Sequence, residues 1–232
     1  MKHKGIIYPL LLILFIFISS VSADELVLQP DGATGKDAMI TTTPPDNNFG
    51  SGSALTVNYG GTSLNHGLIE FNLSAIPIGA TIDSVTLELF EYSNCGLNQN
   101  LIEAHLNSGS WDETTVTWNS APAYDPAVLA TNTGETAACD WLIFDVSSAV
   151  TDWVNGTPNY GFRITGPASG NVIKFIPSSD YTTPADRPIL RINYTTAAPQ
   201  SIPTLNEWGM IVFMLLTGIG AIFYLRKNHL SA

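Results

Sequence analysis

Between Asp24 and Ile202 the chain offers only two histidines, His66 and His105, and two cysteines, Cys95 and Cys139, for chemistry beyond that of carboxylates and aromatics. Neither histidine lies in an H-E-x-x-H spacing, which would set two imidazoles and a general base around zinc on one helix face. A G-x-S-x-G nucleophile elbow, a P-loop and a dinucleotide fingerprint are also missing from the sequence. Carboxylates are plentiful, and a catalytic pair is made in space rather than in sequence. The adjacent acids Asp112 and Glu113, in SGSWDETTVTWNSAP, fall between strand-like runs, where acids cap turns and face water. No catalytic residue is assigned, and the chain is read as non-enzymatic. The alternative of a polysaccharide hydrolase or lyase would need a cleft where acids converge with His66 or His105.

Binding chemistry has better candidates. In PPDNNFGSGS, Asp46 and Asn48 could offer oxygens to calcium, which takes six to eight such ligands. The competing explanation is that Asn, Asp and Gly serve turn geometry, and no D-x-D-x-D-G loop accompanies them. No cofactor is expected beyond a structural calcium of this kind. Sugar rings stack on exposed aromatic faces, for which Trp111, Tyr124 and Tyr181 are the candidates. Tyr124 in SAPAYDPA and Tyr181 in SSDYTTPAD lie in loops, whereas Trp118, Trp141 and Trp153 fall on apolar patterns and are expected to pack. In an oxidising compartment Cys95 and Cys139 are expected to pair. Closing their loop of about 45 residues would contribute roughly 4 kcal/mol in the chain-entropy model.

The elements that must position these residues are mostly strands. In TIDSVTLELFEY, Val85, Leu87 and Leu89 alternate with Thr86 and Glu88, as in a strand with one buried face. PILRINY repeats this with Leu190, Ile192 and Tyr194 against Arg191 and Asn193. Further strands are expected in ELVLQ, AMITT, ALTVNY, GLIEFNL, LIEAHL, TVTW (from Thr115), WLIFDV, YGFRIT and VIKFI. Turn-rich clusters such as SNCGLNQN and PASG separate them, which indicates an all-β, jelly-roll-like antiparallel sandwich. In DVSSAVTDWVNG, Val146, Val150, Trp153 and Val154 share a face at helical spacing. Asp145 or Ser147 can cap that helix and Asn155-Gly156 can end it.

Both ends are apolar. MKHKGIIYPLLLILFIFISSVSA has Lys2 and Lys4, an apolar run from Ile6 to Ile18, and small residues to Ala23, the layout of a secretory signal peptide over residues 1–23. Five basic residues (Lys36, Arg163, Lys174, Arg187, Arg191) then face 19 of the 20 acidic ones between Asp24 and Ile202, a net of −14. So acidic a surface repels phosphate backbones and excludes nucleic acid as a partner. After a linker over residues 197–201, the chain reads SIPTLNEWGMIVFMLLTGIGAIFYLRKNHLSA. Residues 210–225 are expected to form a transmembrane helix of about 24 Å, with Arg226 and Lys227 as a basic stop on the cytoplasmic side.

Two resemblances add to this. DAMITTTPPDNNFGSGSALTVNYG, GLIEFNLSAIPIGATIDSVTLELFEY, SWDETTVTWNSAP, FDVSSAVTDWVNGTPNYGFRITG and RPILRINY together resemble the DNRLRE domain, also grouped with carbohydrate-binding module family 96. The hexapeptide that names that domain is absent; the corresponding region reads SLNHGLIEF. The resemblance implies an extracellular β-sandwich over residues 24–196, a surface or matrix module that binds polysaccharide in part of the family. Over residues 202–232, Ile202-Pro203-Thr204-Leu205, Trp208-Gly209, the apolar run and Arg226-Lys227 resemble the IPTL-CTERM sorting signal. That resemblance implies an exosortase-type membrane protease as a partner and a tail that anchors the chain only transiently. A plain single-span anchor is the alternative. Taken together, the expectation is an exported protein of the cell envelope, surface or matrix that binds extracellular polysaccharide. The alternative is a structural or adhesive surface protein without sugar specificity.

Overall fold

The structure is a computed structural model describing residues 21–60, 62–93, 101–132, 139–167, 172–197 and 205–229. Two units are distinct, one spanning Val21–Ala197 and one that contains the C-terminal helix. In the first, a four-stranded sheet has the order β1 (Val21–Leu28), β11 (Ile189–Ala197), β5 (Thr81–Phe90), β8 (Trp141–Asp145). A seven-stranded sheet has the order β10 (Val172–Pro177), β3 (Ala54–Tyr59), β4 (Asn65–Ile69), β9 (Phe162–Thr165), β6 (Glu103–Leu106), β7 (Ala130–Thr131), with β2 (Asp37–Thr41) paired to β4. Every pairing is antiparallel. The expected antiparallel sandwich is the observed fold.

The period-2 pattern produces the core. Val85, Leu87 and Leu89 on β5 and Leu190 and Ile192 on β11 are buried against Leu55, Val57, Ile69, Phe162 and Ile164 of the other sheet. Each such side chain contributes about 1.5–3 kcal/mol when fully removed from water. One polar pair crosses the same interior: Lys174 on β10 meets Glu91, just after β5, at 2.8 Å, both side chains almost wholly buried. Between β8 and β9 the chain crosses sheets through α1 (Ser147–Val154), whose Ala149 and Val150 join the core. The helix N-cap is Val146 rather than Asp145 or Ser147. Asp145 nevertheless accepts the Ser147 N–H at 3.0 Å, satisfying one of the orphan donors of the first turn. At the other end Gly156 takes φ +106° just beyond Asn155.

The expected strand at TVTW does not form; residues 113–115 are a turn. Asp112 explains the difference, because its side chain accepts the Thr114 N–H at 2.9 Å while its carbonyl accepts the N–H of Val116 at 2.8 Å. Those local bonds curl the segment before a ladder can recruit it. Strand β1 begins at Val21, within the segment expected to be removed after Ala23, and pairs Val21, Ser22 and Ala23 with Ala197, Thr196 and Thr195. Asp24 onward supplies the remaining five pairs.

In the second unit, α2 runs from Leu205 to His229, longer at both ends than the expected 210–225. Its Trp208–His229 portion is 22 residues with an 18-residue window of mean hydropathy 2.0, long and apolar enough to cross a membrane. At 1.5 Å per residue it spans about 33 Å, against a hydrocarbon thickness of about 30 Å. Trp208 and Gly209 lie inside the helix, Leu205 opens it, and Arg226, Lys227 and His229 form its last turn. Ile202, Pro203 and Thr204 lie outside the described residues.

Candidate functional site

The seven-stranded sheet has a second apolar layer on its outer face, and the W-D-E-T-T-V-T-W-N segment makes it. Ala38 and Ile40 of β2 and Leu68 of β4 are covered by Trp111 and Val116, with Trp118 and Ala121 packed alongside. Asn48 fastens the segment by donating its side-chain amide to the carbonyls of Glu113 and Val116, both at 2.7 Å. Asp46 accepts the Asn119 amide at 2.7 Å. The two proposed calcium ligands are thus engaged in closing this loop over the sheet, and Asn48 Oδ1 also accepts the Gly50 N–H at 3.2 Å.

Along the same face, β4, β9 and β6 set His66, Arg163 and His105 side by side, since Leu68 pairs with Arg163 and Arg163 with His105. The His66 ring lies 5.0 Å from Trp118 and 6.2 Å from Tyr124, and His105 lies 5.2 Å from Tyr124. The Arg163 guanidinium sits 4.6 Å from the centre of the Tyr124 ring. Both His66 and Arg163 are about 6 % exposed. Burial, with the charges of Arg163 and His105 adding to it, pushes His66 down to about 3, so its ring is neutral. Burial lowers Arg163 to about 10, still cationic at neutral pH.

The three sugar-stacking candidates are held by separate neighbours. Trp111 is only 8 % exposed, its ring under the Lys36 ammonium at 4.6 Å and its Nε1 donating to the Tyr160 carbonyl at 3.1 Å. It packs rather than presents a face. Tyr124 is half-buried on the His66–Arg163 cluster. Tyr181 is half-buried against Tyr92, ring centres 5.4 Å apart. Of the expected bridge, Cys95 lies outside the described residues.

A cleft of about 680 Å³ lies elsewhere on the unit, lined by residues including Thr34, Lys36, Glu70, Asn72, Ile78 and Trp153. The Lys36–Glu70 ion pair, 2.6 Å, is part of its lining. Ile78 is fully exposed, and Trp153 is half-buried with its ring 5.0 Å from Phe162. Apolar rings and side chains beside hydroxyl, amide and charged groups suit a ligand with apolar C–H faces and many hydroxyls. Sequence reasoning missed this cleft, although Ile78 between Pro77 and Gly79 marks an apolar side chain stranded in a turn. Trp118 packs on the outer layer, as its apolar pattern indicates, while edging the Tyr124 cluster. Among the described residues, no group of three or more His, Cys, Asp and Glu could hold a metal ion.

Known proteins bear on this geometry. The tRNA nuclease WapA of Bacillus subtilis (strain 168) is 26% identical over 152 residues, 63% of this chain and 6% of that protein. The tRNA3(Ser)-specific nuclease WapA of Bacillus spizizenii is 27% identical over 180 residues, 76% of this chain and 7% of that protein. The chain thus spans well under a tenth of the length of these relatives. A family model matches residues 32–194, which take in nine of the eleven strands whole, most of β11, and every side chain of the outer layer and the cleft. The chain belongs to carbohydrate-binding module family 96.

Proposed function

We propose that this is an exported, non-catalytic protein of the cell surface or extracellular matrix whose β-sandwich binds a polysaccharide in the cleft edged by Ile78 and Trp153. The family match over residues 32–194 carries the reading, and the mixed apolar and hydroxyl-bonding lining of the cleft supports it. Sugar C–H faces would rest on Ile78 and Trp153, and ring hydroxyls would meet Asn72, Thr34 and the Lys36–Glu70 pair. The DNRLRE-type pattern, the Cys95–Cys139 bridge and the signal peptide over residues 1–23 belong to the same reading. So does processing of the tail by an exosortase-type protease at the Ile202-Pro203-Thr204-Leu205 signal.

Affinity electrophoresis of the Val21–Ala197 unit through gels loaded with neutral and acidic envelope polysaccharides tests it. Retardation by at least one polysaccharide is expected. Ile78→Asp, on a fully exposed side chain, should weaken binding by roughly 10-fold, or about 1.4 kcal/mol, with an unchanged melting temperature. Migration unaffected by every polysaccharide would support a structural or adhesive component instead. Retardation lost in Tyr124→Ala but kept in Ile78→Asp would move the binding surface to the Trp118–Tyr124 cluster.

A further inference from the structure

Asp37 opens β2 in an unusual setting for a carboxylate. The residue is 2 % exposed, and its Oδ1 has no hydrogen-bond partner. Its Oδ2 accepts the Ser179 N–H at 2.7 Å. Ser179 is itself fully buried, and its hydroxyl faces the same carboxyl. The surroundings add negative charge rather than cancel it. Glu113 reaches in from the outer-layer loop to accept the Asp37 N–H at 2.9 Å, and the charges of Glu113 and Asp180 both bear on Asp37. Lys36, the neighbour in sequence, is committed to Glu70 at 2.6 Å and to the Trp111 ring. Gly35 lets the Asp31–Lys36 loop pack directly against this group. A Cβ there would lie 2.4 Å from Ser179 Oγ and 2.9 Å from the Asp31 carbonyl oxygen.

We propose that Asp37 Oδ1, Ser179 Oγ and neighbouring oxygens of the Asp31–Lys36 loop and Glu113 bind a calcium ion. An ionised carboxylate oxygen buried without a partner is costly, and a hard cation removes that cost while neutralising the adjacent acids. Because too few acidic side chains converge to hold an ion by themselves, hydroxyl, carbonyl and water oxygens complete the shell. Calcium accepts such a mixed set of six to eight oxygens in irregular geometry, whereas magnesium demands a near-ideal octahedron. The site differs from the Asp46–Asn48 turn, whose side-chain oxygens and amide already close the loop. Its ion would tie together three stretches distant in sequence: the Asp31–Asp37 loop, the Glu113 turn and the Ser178–Asp180 segment.

The Val21–Ala197 unit contains both sheets and its own core, so it serves as the test protein. After chelator dialysis, calcium chloride should bind at one site per chain with a Kd on the order of 10⁻⁴ M or tighter, and should raise the melting temperature. Magnesium and matched sodium chloride should not. Asp37→Asn should abolish the calcium response, Ser179→Ala should weaken affinity by roughly 10-fold, and Asp46→Ala should leave it unchanged. No calcium response in the chelated wild type at about 10 mM overturns the proposal and leaves Asp37 a protonated or water-solvated buried acid. So does an undiminished response in Asp37→Asn, or an equal response to magnesium. Should Asp37→Asn fail to fold, the wild-type titration and Ser179→Ala decide the matter.

Discussion

His66 sits on β4 with its ring against Trp118 and its Nδ1 buried without a partner. In the unfolded chain an imidazole takes up a proton near pH 6.5, whereas in the fold burial and the charges of Arg163 and His105 hold it down to about 3. The unfolded state therefore binds the extra proton first. The stability that neutral His66 permits is present above pH 6.5 and is lost as the pH falls toward 3, by roughly 3–5 kcal/mol if fully expressed. Denaturant unfolding of the Val21–Ala197 unit at pH 7.5 and 4.5 should show this loss, and His66→Phe should flatten the dependence. An unchanged slope in His66→Phe would assign the acid sensitivity to other groups. Gly161 is constrained just as sharply: its φ is +75°, and a Cβ there would meet the Ile69 carbonyl oxygen at 2.3 Å.

At the scale of elements, the buried Lys174–Glu91 pair joins β10 of one sheet to the end of β5 of the other. Lys174→Met should cost about 3–5 kcal/mol, because it removes the ammonium facing a buried carboxylate, while Lys174→Met with Glu91→Leu should recover most of that loss. Urea midpoints of the two variants check this; equal destabilisation of single and double variants would show that packing, not charge, is at stake. The strands themselves were legible wherever one face is buried: β5 and β11 alternate in sequence as they do in burial. The outer face was not. His66, His105 and Arg163 occupy alternate positions opposite the core, where a sandwich strand normally meets water, and only a loop from elsewhere in the chain buries them. The segment from Trp111 to Asn119 misled for the converse reason. Its β-branched residues suit a strand, but the Asp112 side chain bonds locally and makes a turn. β7, two residues long, carries no periodicity to read.

For the whole molecule, the acidic sandwich and the apolar helix from Trp208 to His229 have separate physical roles, one soluble and one suited to lipid. If the tail is a sorting signal, protein released from the cell surface should lack Arg226 and Lys227, and intact-mass measurement of released and full-length protein should differ accordingly. Identical C-terminal masses would leave a plain membrane anchor.

The sequence by itself determined the sandwich, the crossover helix, the acidic character and the two apolar ends, since each rests on local periodicity or composition. It also carried the family pattern. Only the tertiary structure decided which polar residues are buried. The outer layer, the isolated Asp37 oxygen and the cleft beside Ile78 arise where segments distant in sequence meet, and no local pattern encodes the distance between them.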